Sequence, residues 1–583
     1  MKLYGKFLKT YFLFLAFIIP LAFIQKCEEA YYLPKLVLLF SGVVFLAPII
    51  SNIKNIKFDM MDKALLIFLA AYFTGFFKSV NKTTAFMSWL EWAMAVIMFL
   101  YCRYFLDKKD IQKVIIAIVA SACLASVYAL MQAFNLDLPG WITNFSGRAF
   151  STFGNPDFFG GFLVLVMPFA LLVSKNKIIV SVTAAFLLLT LFLTQTRSSI
   201  FAFLLSLLII VLLFRNEIMK NVKYILTVLL VVAALAALTG KFSAVAARVK
   251  ASGGAGDLRG RVMMWQTGLN MIEKNLITGT GIGNIKPYYA EYKKDNSGYF
   301  ETEHLHNDFI DIAAQSGVIA MAFFMAIVFF GTKNLLVKGS DNSKITLAGI
   351  TALLAHAFFN FPLFVLPTNA GFFMLLGLGT NMHIKAKNES KAFGAVAVIL
   401  SAIILTISLR ATAGSIAMNY AINSMDAGNY KAAEYYLGKA MPLYPFEKKY
   451  FHLADYYSKT GNISGTISVT EKFLEFQPYS KPGLMQAGIA YAEAKDYEKA
   501  DEKFDLFLKY YPNDNETMSD KAKVLYLKGE KQPAIDLYNK ILSLYPLDET
   551  AHANLMAIYN NEEMIKQMWD EKKRFEEAKN AKK

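Results

Sequence analysis

The stretch ETEHLHNDFIDIAAQSG, residues 301–317, places His304 and His306 directly before an apolar run that continues to residue 331. A run of roughly 20 mostly apolar residues can cross the hydrocarbon core of a membrane as one helix. The two histidines would then lie at the mouth of the membrane, where a polar loop meets a spanning helix. The fold therefore depends on how many such runs the chain contains.

Apolar residues dominate the composition, since 55% of the 583 residues are hydrophobic and the mean hydropathy is +0.38. This is too apolar for an ordinary soluble enzyme, and we count about 13 candidate spans. They lie near residues 10–24, 36–50, 64–77, 84–102, 114–134, 158–173, 178–193, 199–214, 224–239, 308–331, 345–361, 363–382 and 392–409. The sequence predicts an all-α protein in which residues 1–413 form a polytopic bundle of membrane helices.

Loop charges predict the orientation, because loops rich in lysine and arginine resist translocation. With a cytoplasmic N-terminus, most loop cations lie inside. The short outside loops then hold only Lys26, Lys35, Lys78, Lys82, Arg148 and Arg197. A long loop, residues 240–307, and the region after the last span also lie outside under this topology.

Arg148 and Arg197 break the positive-inside pattern within the stretches GRAFSTFGNPDFFGG (147–161) and TQTRSSI (194–200). An arginine at membrane depth costs roughly 2.5–3.5 kcal/mol on insertion scales, so it needs a partner or a function. The alternative is that both side chains reach up to lipid headgroups.

The C-terminal region, residues 414–583, contains a repeat of about 34 residues. Its prolines keep this period, and small residues keep the same phase in both helices of each unit. The prolines are Pro445, Pro478, Pro512 and Pro546. The small residues of the first helix in each unit are Ala421, Ala454, Gly488 and Ala522, and those of the second helix are Ala433, Thr466, Ala500 and Ala534. The pattern resembles the tetratricopeptide repeat and predicts an α-solenoid of about four repeats that binds protein partners, with a capping helix around residues 561–583. The alternative is that the solenoid only packs on the membrane domain.

The histidine pair has several possible uses. In an extended segment, residues two apart face the same side, so both rings could enter one cavity. A zinc site would need a third ligand from Glu303, Asp308 or Asp311, and the simplest alternative is that the histidines cap the next helix or bind headgroups. Cys27, Cys102 and Cys123 share no metal-ligand spacing, so the cysteines indicate neither a zinc site nor a disulfide framework.

Five stretches, in this order, resemble a known family. GRAFSTFGNPDFFGGFL and TQTRSSI are similar to two outside motifs of the O-antigen ligase and O-antigen polymerase superfamily. The Arg261-x-x-x-Trp265 motif, the ITGTGIGN turn and HLHNDFIDIAAQSGVIA resemble its large periplasmic loop. The resemblance covers roughly residues 60–385. It implies a GT-C type membrane fold in the bacterial inner membrane. It also implies glycan transfer from an undecaprenyl-diphosphate carrier without a nucleotide sugar, so we predict no metal and no cofactor.

The resemblance also implies roles for individual residues. His306 would be the catalytic base, assisted or oriented by His304. Arg197, Arg261 and Arg148 would bind the diphosphate, because guanidinium groups match phosphate oxygens in a bidentate way. Asn307 could hold a sugar or carrier oxygen.

One feature departs from the family ligases, which commonly end on the cytoplasmic side. Here a thirteenth span, AFGAVAVILSAIILTISL, would place the repeats in the periplasm. The acceptor therefore stays open between lipid A core in a lipopolysaccharide ligase, a growing glycan in a polysaccharide polymerase and a protein in an O-oligosaccharyltransferase. A non-catalytic scaffold or a transporter is the alternative of another class, although the candidate polar groups cluster at one membrane interface, which favours an enzyme.

Overall fold

A computed structural model describes residues 2–137, 145, 147–217, 219–220, 230, 255–294, 301–384 and 391–581. Within these residues the secondary structure is helical and no β-strand occurs, so the predicted all-α class is confirmed. The helices up to the solenoid are α1 Lys2–Ile18, α2 Leu33–Ser51, α3 Met60–Lys78, α4 Lys82–Phe105, α5 Lys108–Ala133, α6 Pro156–Leu172, α7 Lys177–Thr194, α8 Arg197–Leu213, α9 Ala255–Lys274, α10 Ile285–Tyr292, α11 Asp308–Lys338, α12 Asp341–Ala357, α13 Leu366–Gly379 and α14 Lys391–Asp426. The remaining helices are α15 Tyr430–Ala440, α16 Lys448–Lys459, α17 Ile463–Phe476, α18 Lys481–Glu493, α19 Tyr497–Tyr510, α20 Asn515–Leu527, α21 Lys531–Leu544, α22 Glu549–Asn561 and α23 Ile565–Ala581.

The apolar runs form helices where the hydropathy predicts them. In the described part of the chain, 7 helices are long and apolar enough to cross a membrane, and α6, α8 and α13 are shorter apolar helices. Of the predicted span 224–239 only residue 230 is described, so this span lies almost entirely outside the described residues. The chain is thus a multi-pass membrane protein, and the count of 13 spans stays a prediction.

Carboxylates at helix ends tie α3, α4 and α11 together. Asp59 caps α3 by accepting hydrogen bonds from the backbone of its first turn. The buried Arg103 of α4 places Nη2 2.5 Å from Asp59 Oδ2 and Nε 3.3 Å from Asp62 Oδ1, while Asn334 of α11 donates to Asp59 Oδ2 at 2.8 Å. Because a buried arginine is stable only with such partners, this cluster fixes the far end of α11, opposite the histidine segment.

A break in α11 receives the glycine-rich turn of the outside loop. At Gly317 the backbone is left-handed, with φ of +83°, so the helical hydrogen-bond ladder is interrupted. The freed groups pair with the turn instead: Thr280 N donates to Ala314 O at 2.8 Å, and Val318 N donates to Leu276 O at 2.9 Å. The turn therefore holds the loop helix α9 against α11.

The chain forms two compact units. The first comprises Met1–Ile285, Glu303–Tyr420 and Lys439–Pro445, and the second comprises Lys286–Thr302, Ala421–Gly438 and Phe446–Lys583. The helix α14 continues through the predicted domain boundary at residues 413–414, and the second unit includes part of the predicted outside loop 240–307.

In the second unit the predicted small residues lie where paired helices approach closely. A Cβ atom added to Gly488 of α18 would come within 2.4 Å of the Phe504 ring of α19. Ala454, Ala500 and Ala522 are fully buried. The repeat pattern therefore reflects the space available between antiparallel helices.

Candidate functional site

The segment before α11 is organised by one carboxylate. Asp311, one turn into the helix and fully buried, accepts hydrogen bonds from Leu305 N at 2.9 Å and from Gln315 Nε2 at 3.1 Å. The Nδ1 atom of His304 lies 3.3 Å from the same carboxylate. The ring of His304 also stacks on Phe361 with a centroid separation of 4.3 Å. His304 is thus held in position from two sides.

His306 adopts an unusual backbone conformation. Its φ of +52° lies in the left-handed region, where a residue with a side chain is strained by about 1–3 kcal/mol. Its carbonyl oxygen accepts a hydrogen bond from Trp265 Nε1 at 3.4 Å, and its ring meets Phe361 edge-on at 5.0 Å. Its Nδ1 atom is buried and has no hydrogen-bond partner among the described residues. Strain of this kind is concentrated at functional sites, and here the left-handed backbone sets the direction in which the His306 ring points.

The largest electrostatic influence on His306 comes from Arg261 of the loop helix α9. Burial lowers the pKa of the His306 imidazole below its ordinary value, and the Arg261 guanidinium lowers it further, against a smaller opposing effect of Asp157. Both causes disfavour the imidazolium form. The ring is therefore kept neutral, with a free electron pair, at neutral pH.

Asn307 forms the start of α11. Its Oδ1 atom accepts hydrogen bonds from Phe309 N at 3.0 Å and Ile310 N at 3.2 Å, and its Nδ2 atom donates to Phe358 O at 3.2 Å. An asparagine at this position satisfies backbone donors that a helix leaves unpaired. A substrate-binding role for Asn307 stays a prediction beside this N-cap role.

Arg148 joins the two earlier outside motifs. Its Nη2 atom lies 2.5 Å from Asp157 Oδ1 and 3.0 Å from Thr196 Oγ1, and its Nε atom donates to Thr194 O at 2.8 Å. Thr196 Oγ1 also donates to Asp157 Oδ1 at 2.9 Å. Arg148 therefore has the internal partner that an arginine at membrane depth requires, and diphosphate binding by it stays a prediction.

Arg148→Ala is expected to destabilise the membrane unit by about 1–3 kcal/mol, because Asp157 loses its cation while it stays largely enclosed. Thermal unfolding of the purified protein in detergent measures this loss. The double variant Arg148→Gln/Asp157→Asn should recover part of it, since no unpaired charge is left. Unchanged stability together with weaker donor binding would instead assign Arg148 to the diphosphate.

Arg197 is the first residue of α8, directly after Thr196, and its side chain is half-buried. Two residues further, Ser199 Oγ lies 3.4 Å from Nδ1 of His356, which is fully buried at the end of α12. The charges of Asp157 and Arg261 both act on the His356 ring. The start of α8 is thereby joined to the site that contains Arg148 and Arg261.

The segment after α12 completes the site, and sequence analysis did not identify it. Phe361 contacts both histidine rings, and Leu363 N donates to Asp308 Oδ2 at 3.0 Å. The side-chain amide of Asn360 is buried and has no hydrogen-bond partner among the described residues. A polar signal was present, because His356 and Asn360 interrupt a predicted span, but they resembled ordinary core residues.

The structure thus brings His306, Arg261, Arg148 and His304 into one region, with Asp157 and His356 among them. Within the described residues no group of three or more His, Cys, Asp and Glu side chains could hold a metal ion.

Comparison with known proteins gives two family matches. Residues 182–325 match the O-antigen ligase family, and residues 483–514 match a tetratricopeptide repeat family. Arg197, Arg261, His304, His306 and Asn307 all fall within the first match, whereas Arg148 precedes it. A search of curated proteins finds no match.

Similar solved structures include proteins called MamA. MamA from residue 41 onward of Desulfovibrio magneticus RS-1 is 14% identical over 29% of this chain and 96% of that chain, with a TM-score of 0.27. A second crystal structure of MamA is 18% identical over 29% of this chain and 93% of that chain, with a TM-score of 0.28. By its two family matches, the chain combines an O-antigen ligase family region with C-terminal tetratricopeptide repeats.

Proposed function

We propose that the protein is a glycosyltransferase of the inner membrane that moves a glycan from an undecaprenyl-diphosphate carrier to an acceptor hydroxyl on the periplasmic side. The observation that supports this most is the environment of His306, whose ring is kept neutral by burial and by the charge of Arg261, while its Nδ1 atom has no hydrogen-bond partner among the described residues. A base beside a cation suits a reaction in which a hydroxyl loses a proton and a phosphate gains charge.

The proposed reaction uses the residues as follows. The acceptor oxygen attacks the anomeric carbon of the glycan, the bond from that carbon to the diphosphate breaks, and undecaprenyl diphosphate leaves. His306 takes the hydroxyl proton on a ring nitrogen. Arg261 and Arg197 hold the diphosphate oxygens, where charge develops as the bond breaks. His304, fixed by Asp311, orients the segment.

The same chemistry serves three acceptors: lipid A core, a second glycan, or a protein hydroxyl. Partner binding by the tetratricopeptide repeats is compatible with the latter two, because a solenoid presents extended proteins or recruits further proteins of the pathway. No sugar nucleotide, metal or cofactor takes part in the proposed reaction.

A deletion strain tests the proposal directly. We expect undecaprenyl-diphosphate-linked glycan to accumulate and one class of acceptor to lack its glycan, as measured by mass spectrometry of lipid, lipopolysaccharide and protein fractions. Purified protein should restore the transfer from extracted donor. Normal amounts of donor lipid in the deletion strain, together with no transfer by the folded protein, would contradict the proposal.

The pH dependence of transfer tests the pairing of His306 with Arg261. The base must be neutral, so the rate should fall as the pH drops through the His306 pKa, which lies below its ordinary value. Arg261→Gln removes a positive charge that disfavours the imidazolium, so the pKa should rise and the acid limb should move to higher pH. The measured quantity is the pH at the midpoint of the acid limb, which can be compared between variants even when their maximal rates differ. Arg259→Gln, which removes an exposed cation two residues away, should leave the midpoint unchanged.

A further inference from the structure

The helices α3 and α11 are tied together at two levels. At one level, Asn334 of α11 donates to Asp59 Oδ2, at the start of α3, at 2.8 Å. At the other, a Cβ atom added to Gly75 of α3 would come within 2.6 Å of Gln315 O in α11. About 16 residues of α3 and about 19 of α11 separate the two levels, which is roughly 24–29 Å of helix at 1.5 Å per residue. This length matches one crossing of a hydrocarbon core about 30 Å thick.

The character of α11 changes at its break, Gly317. Before the break, residues 308–316 include no exposed residue and enclose polar side chains, namely those of Asp308, Asp311, Gln315 and Ser316. Carboxylates are costly within the hydrocarbon core, so this part of α11 suits a position above it. After the break no charged residue occurs before Lys333, and large apolar side chains become exposed at Ile319, Met325 and Phe329. Such a surface suits contact with lipid.

Exposed apolar side chains surround the break. Leu276 and Ile277, in the turn that docks on it, are 53% and 64% exposed, and Phe77 at the end of α3 is 69% exposed. We name these three residues the boundary patch. Because Val318 N donates to Leu276 O at 2.9 Å, the patch adjoins the exposed Ile319. The boundary patch therefore continues the surface of α11 that suits lipid.

Two lysines flank the boundary patch. Lys78 Nζ donates to Asn275 Oδ1 at 3.1 Å, and Lys82 Nζ donates to Phe76 O at 3.0 Å and to Phe77 O at 2.7 Å. Both lysine side chains are exposed. Lysines beside exposed apolar side chains are typical of a membrane–water interface, because the apolar part enters the lipid while the ammonium group stays at the headgroups. The charges therefore favour lipid as the occupant of this surface.

We infer that the membrane boundary on the side of the histidine segment lies at Gly317, and that the boundary patch inserts into the lipid interface there. The loop helix α9, which runs into this turn, then ends on the membrane surface. The first part of α11 stands above the hydrocarbon and lifts the start of the helix, next to His306, by up to roughly 14 Å, the length of about nine helical residues. The sequence placed the mouth of the membrane at the histidines, and the inferred boundary lies further along the chain. The inference is independent of the proposed function.

Spin labels on the full-length protein in phospholipid nanodiscs test the boundary. Cys27 and Cys102 are buried and should not react, and Cys123 is replaced with alanine. The measured quantities are the accessibility of each label to oxygen, which concentrates in hydrocarbon, and to a water-soluble nickel chelate. Each label is attached at a single new cysteine on an exposed position: Phe77→Cys, Ile277→Cys, Ile319→Cys, Phe329→Cys or Glu303→Cys.

Phe329→Cys is the hydrocarbon reference and Glu303→Cys the water reference. We expect the labels at Phe77→Cys and Ile277→Cys to lie about 5–10 Å into the headgroup region, as the apolar face of an interfacial helix does. The label at Ile319→Cys should be deeper than these and shallower than that at Phe329→Cys.

Three results would overturn the inference. Equal nickel accessibility at Ile277→Cys and Glu303→Cys would place the boundary patch in water. Low accessibility of both patch labels to both reagents would mean that protein, and not lipid, covers the patch. Water-like accessibility at Ile319→Cys would place the boundary further along α11.

Discussion

Replacing His306 with alanine is expected to reduce glycan transfer by about 10²–10⁴-fold, the usual contribution of a general base, and to leave the protein folded. The ring meets Phe361 edge-on, and in the described part of the chain its Nδ1 atom has no hydrogen-bond partner, so we expect little of the fold to depend on it. The assay is transfer from a lipid-linked donor by purified protein, with donor binding measured separately. Binding should persist, because the proposed diphosphate contacts belong to Arg197 and Arg261.

The backbone at His306 offers a matched control. Glycine tolerates a φ of +52°, so His306→Gly should relieve strain and raise stability by about 1 kcal/mol while transfer is still lost. A variant that is more stable and inactive separates the chemistry from the fold. Near-normal transfer by either variant would remove His306 from the role of base and point to His304 or His356 instead.

The membrane helices were predictable because an apolar run is a local signal. The sequence run from 308 to 331 and α11 begin at the same residue, because Asn307 caps the helix where the apolar run starts. The break at Gly317 was not predicted, since it depends on the approach of residues 276–281, which lie about forty positions earlier in the chain.

The candidate site was predictable only where polar residues stood out from their surroundings. His304 and His306 stood out in a loop, and the argument that both face one side assumed an extended backbone. The left-handed conformation of His306 breaks that assumption, yet both rings contact Phe361. Phe361 is an apolar residue within an apolar stretch, so no local sequence pattern distinguishes it from its neighbours.

The partner of Arg148 could have been predicted from the sequence. Its partner Asp157 lies nine residues later in the same quoted motif, and the rule that a membrane arginine needs a partner could have identified it. The contact of Ser199 with His356 could not have been identified in this way. These residues are 157 positions apart, and only the packing of α8 against α12 brings them together.

Gly317→Ala is expected to abolish folding of the membrane unit, with a loss of stability of roughly 3 kcal/mol or more from strain and steric overlap together. A Cβ atom at this position would lie 1.9 Å from Ile277 O, a backbone atom that cannot move without opening the turn. The turn holds α9, and with it Arg261, against the histidine segment. Loss of folded protein in detergent, measured by size-exclusion chromatography and thermal unfolding, checks the prediction.

Gly339 at the end of the same helix provides the matched control. Its φ of +60° is also left-handed, but an added Cβ atom would meet only Leu336 O, at 3.7 Å. Gly339→Ala should therefore cost about 1 kcal/mol, the backbone strain alone. Equal losses in the two variants would mean that the left-handed conformation, and not the close approach of Ile277, makes Gly317 necessary. A much larger loss at Gly317 would show that α11 is broken there to receive the glycine-rich turn, which holds α9 against α11.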